Sequence, residues 1–176
     1  GNRAAYVVTR RDAFGNATTS GAQTVYLYSD SAGTNDAFYN VPSGGSPVAS
    51  VSIADAASTA NFWYYDDLAT TAAVTASDNA TAPDGTTGID DAADSVTVNA
   101  AATSQFLLDD PGSVAAGVRL GYVVTRKDQF GNVTTSGVQS VYLYSDSTNS
   151  PAFYAAASEG SPIASVNVTD GNSTAN

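Results

Sequence analysis

The segment Tyr6-Val-Val-Thr-Arg-Arg-Asp-Ala-Phe-Gly-Asn16 returns 116 positions later (122 − 6) as Tyr122-Val-Val-Thr-Arg-Lys-Asp-Gln-Phe-Gly-Asn132. This duplication constrains the chain more than any other feature. The match continues through Val25-Tyr-Leu-Tyr-Ser-Asp30 and Val141-Tyr-Leu-Tyr-Ser-Asp146, loses one residue in the next loop, and resumes at Ala37-Phe-Tyr39 and Ala152-Phe-Tyr154. It runs on through Gly45-Ser-Pro-Val-Ala-Ser-Val51 and Gly160-Ser-Pro-Ile-Ala-Ser-Val166, and finishes as Ser58-Thr-Ala-Asn61 and Ser173-Thr-Ala-Asn176. Residues 1–61 thus recur as 117–176, and the unit is about 115 residues long, the size of one small domain. The expected division is one repeat over residues 1–101 lacking its first strand and a second over 102–176 lacking its last strands. Together they read as a window from a longer tandem array of stacked copies.

Composition narrows the chemistry. Charged residues make up 13% of the chain and hydrophobic ones 43%, with ten Tyr and six Phe, which is too apolar and aromatic for a disordered polymer. There is no His, Cys or Met, so imidazole bases, thiol nucleophiles, disulfides and metal sites built on His or Cys are excluded. The formal net charge is −11, and one Lys with five Arg cannot supply the clustered cations that phosphate backbones demand, which argues against nucleic acid. Apolar runs such as 4–8 or 62–65 are far below the roughly 20 residues of a membrane helix, so no membrane span is expected.

The periodic segments are rich in Val, Thr, Tyr and Ile and alternate with period two, while no stretch keeps an apolar face at helical spacing. One unit therefore reads as strands at 104–108, 120–126, 139–145, 152–154, 162–168 and, from the first copy, 61–66, 72–76 and 95–99. Clusters of Gly, Pro, Asn, Asp and Ser separate them. Seven or eight short strands in a unit of this length predict an all-β fold with almost no helix, built as tandem immunoglobulin-like β-sandwich repeats. Alternation nominates the core: Val25 with Leu27, Val51 with Ile53, Val96 with Val98, and Phe62 with Tyr64 on the face opposite Trp63 and Tyr65.

Asp12-Ala-Phe-Gly-Asn16 and Asp128-Gln-Phe-Gly-Asn132, each after a Tyr-Val-Val-Thr strand, resemble the Asp-x-x-Gly-Asn turn of bacterial Ig-like repeats of the invasin and intimin type. Asp110-Pro-Gly-Ser-Val-Ala-Ala-Gly117 is similar to the lead-in of those repeats, and Phe62-Trp-Tyr-Tyr-Asp-Asp67 to their aromatic late strand. The resemblance covers the whole unit. It implies an extracellular or cell-surface location in a large adhesin-like protein, where repeats project a functional element that lies elsewhere. The turn also has its own physics: Gly15 and Gly131 permit positive φ, and Asp12, Asn16, Asp128 and Asn132 can bond the local backbone. These six are structural turn residues.

Sixteen of the seventeen acids are Asp, and short carboxylates serve both turns and calcium loops. The densest group is Asp78, Asp84, Asp90, Asp91 and Asp94, followed by Asp109 and Asp110 at the junction between units. Asp84, Asp90, Asp91, Asp94, Asp109 and Asp110 are the candidate ligands, with calcium the cofactor such a set would take. Because 78–85 lacks the alternating ligand spacing of an EF-hand, solvated turn residues are the competing reading. Lys127 invites comparison with isopeptide-forming lysines, but Arg11 holds the equivalent position, which favours a charge over a bond. Adjacent acids such as Asp66-Asp67 point to opposite faces of a strand and do not converge as a hydrolase pair would, so no enzyme is expected. Asn16, Asn79, Asn132, Asn167 and Asn172 each head an Asn-x-Ser/Thr triplet and are the glycosylation acceptors the sequence offers.

Two functions from different classes remain. The first is a structural spacer or stalk segment of an extracellular tandem-repeat protein. The second is a self-assembling subunit of an extracellular filament or sheath, in which neighbours complete each other by strand donation. The partners in either case are copies of the same repeat, in cis or in a homopolymer.

Overall fold

The computed structural model describes residues 2–109 and 111–176. The described residues are all β, with fourteen strands and no helix, and so contain no helix long and apolar enough to cross a membrane. The chain divides into two compact units, residues 1–99 and 100–176, each described below by itself.

Unit 1 contains β1 (Ala4–Thr9), β2 (Gln23–Ser29), β3 (Ala37–Tyr39), β4 (Ser50–Ile53), β5 (Thr59–Tyr65), β6 (Thr71–Ser77) and β7 (Ala92–Thr97). They form two antiparallel sheets, ordered β1-β5-β3 and β4-β2-β6-β7. The strands alternate because their side chains do: β5 carries Phe62 and Tyr64 into the interior and turns Trp63 and Tyr65 outward. Opposite them lie Val25 and Leu27 of β2, Val51 and Ile53 of β4, and Val74 of β6, so the two sheets close on one shared core. Val96 packs at the margin of that core, and β7 is otherwise an exposed edge.

Cross-strand aromatic pairs lock the first sheet. Tyr6 and Phe62 are register partners whose rings stack with centroids 5.1 Å apart. Phe38 and Tyr64 are partners across β3 and β5, with centroids 5.2 Å apart. Pairs of this kind add to the burial of each ring. Burial pushes the Tyr64 phenol up to about 12, with the neighbouring Asp66 carboxylate contributing to the rise.

Unit 2 contains β8 (Gln105–Leu108), β9 (Val124–Lys127), β10 (Gln139–Tyr142), β11 (Phe153–Tyr154), β12 (Pro162–Ile163), β13 (Ser165–Val168) and β14 (Thr174–Ala175). Two of its pairings repeat those of unit 1 residue for residue. Gln139 faces Val168 and Val141 faces Val166, as Gln23 faces Ile53 and Val25 faces Val51. Thr174 faces Thr125 and Ala175 faces Val124, as Thr59 faces Thr9 and Ala60 faces Val8. The core is smaller: Val124, Val141 and Val168, flanked by Val166 and Ala175.

The strand expected at 120–126 forms only over Val124–Lys127. In unit 1 the counterpart of 120–123 is held by 61–64 of β5, and among the described residues of unit 2 no strand corresponding to 61–64 pairs with 120–123. For the same reason the strand expected at 139–145 stops at Tyr142. Its counterpart in β2 continues to Ser29 by pairing with β6. Tyr122, Tyr142 and Tyr144 are correspondingly exposed.

Phe62→Ala removes a nearly fully buried ring that touches both Tyr6 and Phe38. The expected cost is about 3–5 kcal/mol. Urea unfolding followed by the fluorescence of Trp63, the only Trp in the chain, measures it directly in unit 1.

Candidate functional site

Three constructions stand out, and each begins from the local sequence. The first is the Asp-x-x-Gly-Asn turn. Asp128 Oδ1 accepts from the amides of Phe130 and Asn132, both at 2.9 Å, and Oδ2 accepts from the Asn132 side chain at 2.9 Å. Asp12 does the same with Phe14 N, Asn16 N and Asn16 Nδ2. Gly15 and Gly131 turn the chain at φ 84° and 91°, where a side chain would be strained. The two copies differ in burial. Asp128 is fully buried because the lead-in segment covers it: Ala101 N donates to its Oδ2 at 2.9 Å and Gln105 Nε2 to its carbonyl at 2.7 Å. Asp12 is exposed.

The second construction is a set of arginines that sequence reading missed. Arg126, 1% exposed, spreads its guanidinium over the carbonyls of Thr134, Ser136, Gly137 and Asn172. Arg10 makes the matching bonds to Thr18, Gly21 and Ala57. Arg3 lies over the Tyr39 ring at 3.3 Å and donates to Val41 and Gly44. Arg119 lies over Tyr154 at 3.4 Å and donates to Ala156 and Glu159. Only a planar fork with several donors can collect carbonyls from separate loops in this way. The repetition of arginine at both offsets was the available signal.

The third is an acidic centre in the loop between β6 and β7, residues 78–91. It brings together Asp78, Asp84 and Asp91, one carboxylate oxygen of each lying within 4.8 Å of the other two. The outer oxygens are tied to the loop: Asp78 Oδ2 accepts from Ile89 N, Asp84 Oδ2 from Asn79 Nδ2 and Asp91 Oδ2 from Gly85 N. Tyr28 anchors the loop to β2 by donating to the Asn79 carbonyl at 2.6 Å. Gly88, at φ 76°, has no room for a side chain, since a Cβ would meet Asp78 Oδ2 at 2.6 Å. Hydrogen bonds from Ser77 and from the Gly85 amide hold the Asp91 carboxyl below its usual range.

Of the sequence candidates for metal, then, Asp84 and Asp91 belong to this centre and Asp78 joins them. Asp90 and Asp94 are exposed, Asp94 bonding the adjacent Ser95 amide. Asp109 is exposed in unit 2, and Asp110 lies outside the described residues. Among the acceptor asparagines, the side chains of Asn16 and Asn132 are engaged by the turn aspartates and Asn79 by Asp84. Asn167 Oδ1 accepts from Ser140, and Asn172 Nδ2 donates to Thr169. Asp66 is a buried structural acid that receives Ser31, Tyr64 and the Leu68 amide.

Burial opposes ionisation of Asp128, yet the hydrogen bonds from Asn132, Ala101 and Phe130 outweigh it and hold the carboxyl below its usual value. A lowered folded value stabilises the fold above the unfolded value of about 4. That contribution is lost as pH falls through the folded value. Asp128→Asn should flatten this acid limb and cost about 1–3 kcal/mol at neutral pH. Hydrogen exchange of unit 2 amides between pH 7 and 3 checks both, with Trp63 fluorescence unchanged. Comparisons with family models, with curated proteins and with solved structures return no match for this chain.

Proposed function

We propose that the chain is a structural spacer: a stalk segment of an extracellular surface protein assembled from tandem immunoglobulin-like β-sandwich modules. The observation that carries this reading is that two copies of one sequence adopt the same strand registers and the same arginine and aspartate clasps. What repeats is a framework, whose most specific side chains bond their own backbone. A module of this kind transmits position.

Each unit is anchored up to the boundary between them: Val98 N bonds Thr70 O within unit 1, and Ala101 N bonds Asp128 Oδ2 within unit 2. The acidic composition, at −11, keeps neighbouring chains apart.

A second reading, a filament subunit completed by strand donation, is favoured by one specific feature. In unit 2, β9 is flanked by β14 and β8, whereas in unit 1 the equivalent β1 is paired only with β5. The open edge of β1 borders a groove lined by Val8, Ile53, Ala76 and Ala92. Unpaired edges of this kind template added strands.

Solution scattering and sedimentation separate the two. The spacer reading expects an elongated monomer, and a Gly-Ser insertion between Asn99 and Ala100 should broaden its distance distribution while leaving each unit folded. The filament reading expects concentration-dependent assembly abolished by Val7→Pro, which disrupts the unpaired edge strand β1. A compact particle whose profile ignores the insertion would sink the spacer proposal.

A further inference from the structure

We propose that Asp78, Asp84 and Asp91 bind a calcium ion that ties together the loop between β6 and β7. Three features carry this. First, each carboxylate divides its labour. The Oδ2 atoms are spent on the loop, on Ile89 N, Asn79 Nδ2 and Gly85 N. The Oδ1 atoms of the same three residues are buried from solvent and have no hydrogen-bond partner. Buried carboxylate oxygens without a donor or counter-charge are costly, and all three orphans belong to the same cluster.

Second, the spacing suits one ion. Oxygens sharing a calcium at 2.3–2.6 Å are separated by at most about 5 Å, and the three carboxylates place an oxygen each within 4.8 Å of the others. All-oxygen ligation from a loop of irregular shape, with a coordination number completed by water, is calcium chemistry more than the strict octahedron of magnesium.

Third, among the described residues no Lys or Arg donates a hydrogen bond to these carboxylates. The arginines of unit 1 donate to main-chain carbonyls: Arg3 to Val41 and Gly44, Arg10 to Thr18, Gly21 and Ala57, and Arg11 to Gly15. Like charges packed this closely call for a counter-ion, and a bound cation would supply it. The centre lies wholly within unit 1, so the inference stands apart from the spacer reading.

The test uses the whole chain, stripped with EDTA and titrated with calcium chloride alone by isothermal calorimetry, with thermal unfolding followed by Trp63 fluorescence. The expected result is one saturable site and a melting temperature that rises with calcium. Asp84→Asn and Asp91→Asn should each weaken binding at least tenfold while melting no lower than the parent without the ion. Asp90→Asn, a neighbouring exposed carboxylate, should bind as the parent does. Absence of a saturable heat and of a melting shift at millimolar calcium overturns the proposal. So does equal binding by Asp84→Asn, which means adventitious surface charge, or a preference for magnesium over calcium.

Discussion

A guanidinium that collects backbone carbonyls organises each unit, Arg10 in the first and Arg126 in the second. Arg126 is almost wholly removed from water, and a cation in that position survives only if its donors are satisfied. They are satisfied by carbonyls from 134–137 and from Asn172, which ties the end of β9 to two loops distant in sequence. Because the acceptors are main-chain atoms, the clasp dictates backbone path and tolerates different side chains along it. Asn172 replaces Ala57 as an acceptor with no loss of geometry. The strand registers then follow, since the loops that set where β10 and β14 begin are the loops the arginine holds.

What surrounds that clasp differs between the copies. Unit 1 has the late strands: Phe62 and Tyr64 fill the core, and Tyr6 finds a ring to stack on. Unit 2 has the lead-in: Ala101 and Gln105 close over the turn and bury Asp128. Asp12 in unit 1 and Tyr122 and Tyr142 in unit 2 are exposed.

Much of this was legible beforehand. The duplication is a matter of letters, and period-two alternation placed Val25, Leu27, Val51, Ile53, Phe62 and Tyr64 on inward faces because a strand leaves no other option. The aspartate and glycine of the turn were readable because few residues tolerate that backbone. The arginines at 3, 10, 119 and 126 escaped notice because a charged side chain signals surface until its acceptors are known, and those acceptors are carbonyls that every residue carries. In the acidic loop, spacing alone nominated a broad set and could not separate Asp78, Asp84 and Asp91 from Asp90 and Asp94.

The sequence by itself determined that the chain is made of a repeated β module, where its strands alternate and where its turns fall, because those properties depend on neighbours a few residues apart. Tertiary structure alone decided which strands found partners, which arginine was engulfed and which carboxylates turned toward one another. Those outcomes depend on distances between residues far apart in the chain, such as Arg126 with Asn172 and Tyr28 with Asn79. Such distances are closed only when the sheets pack.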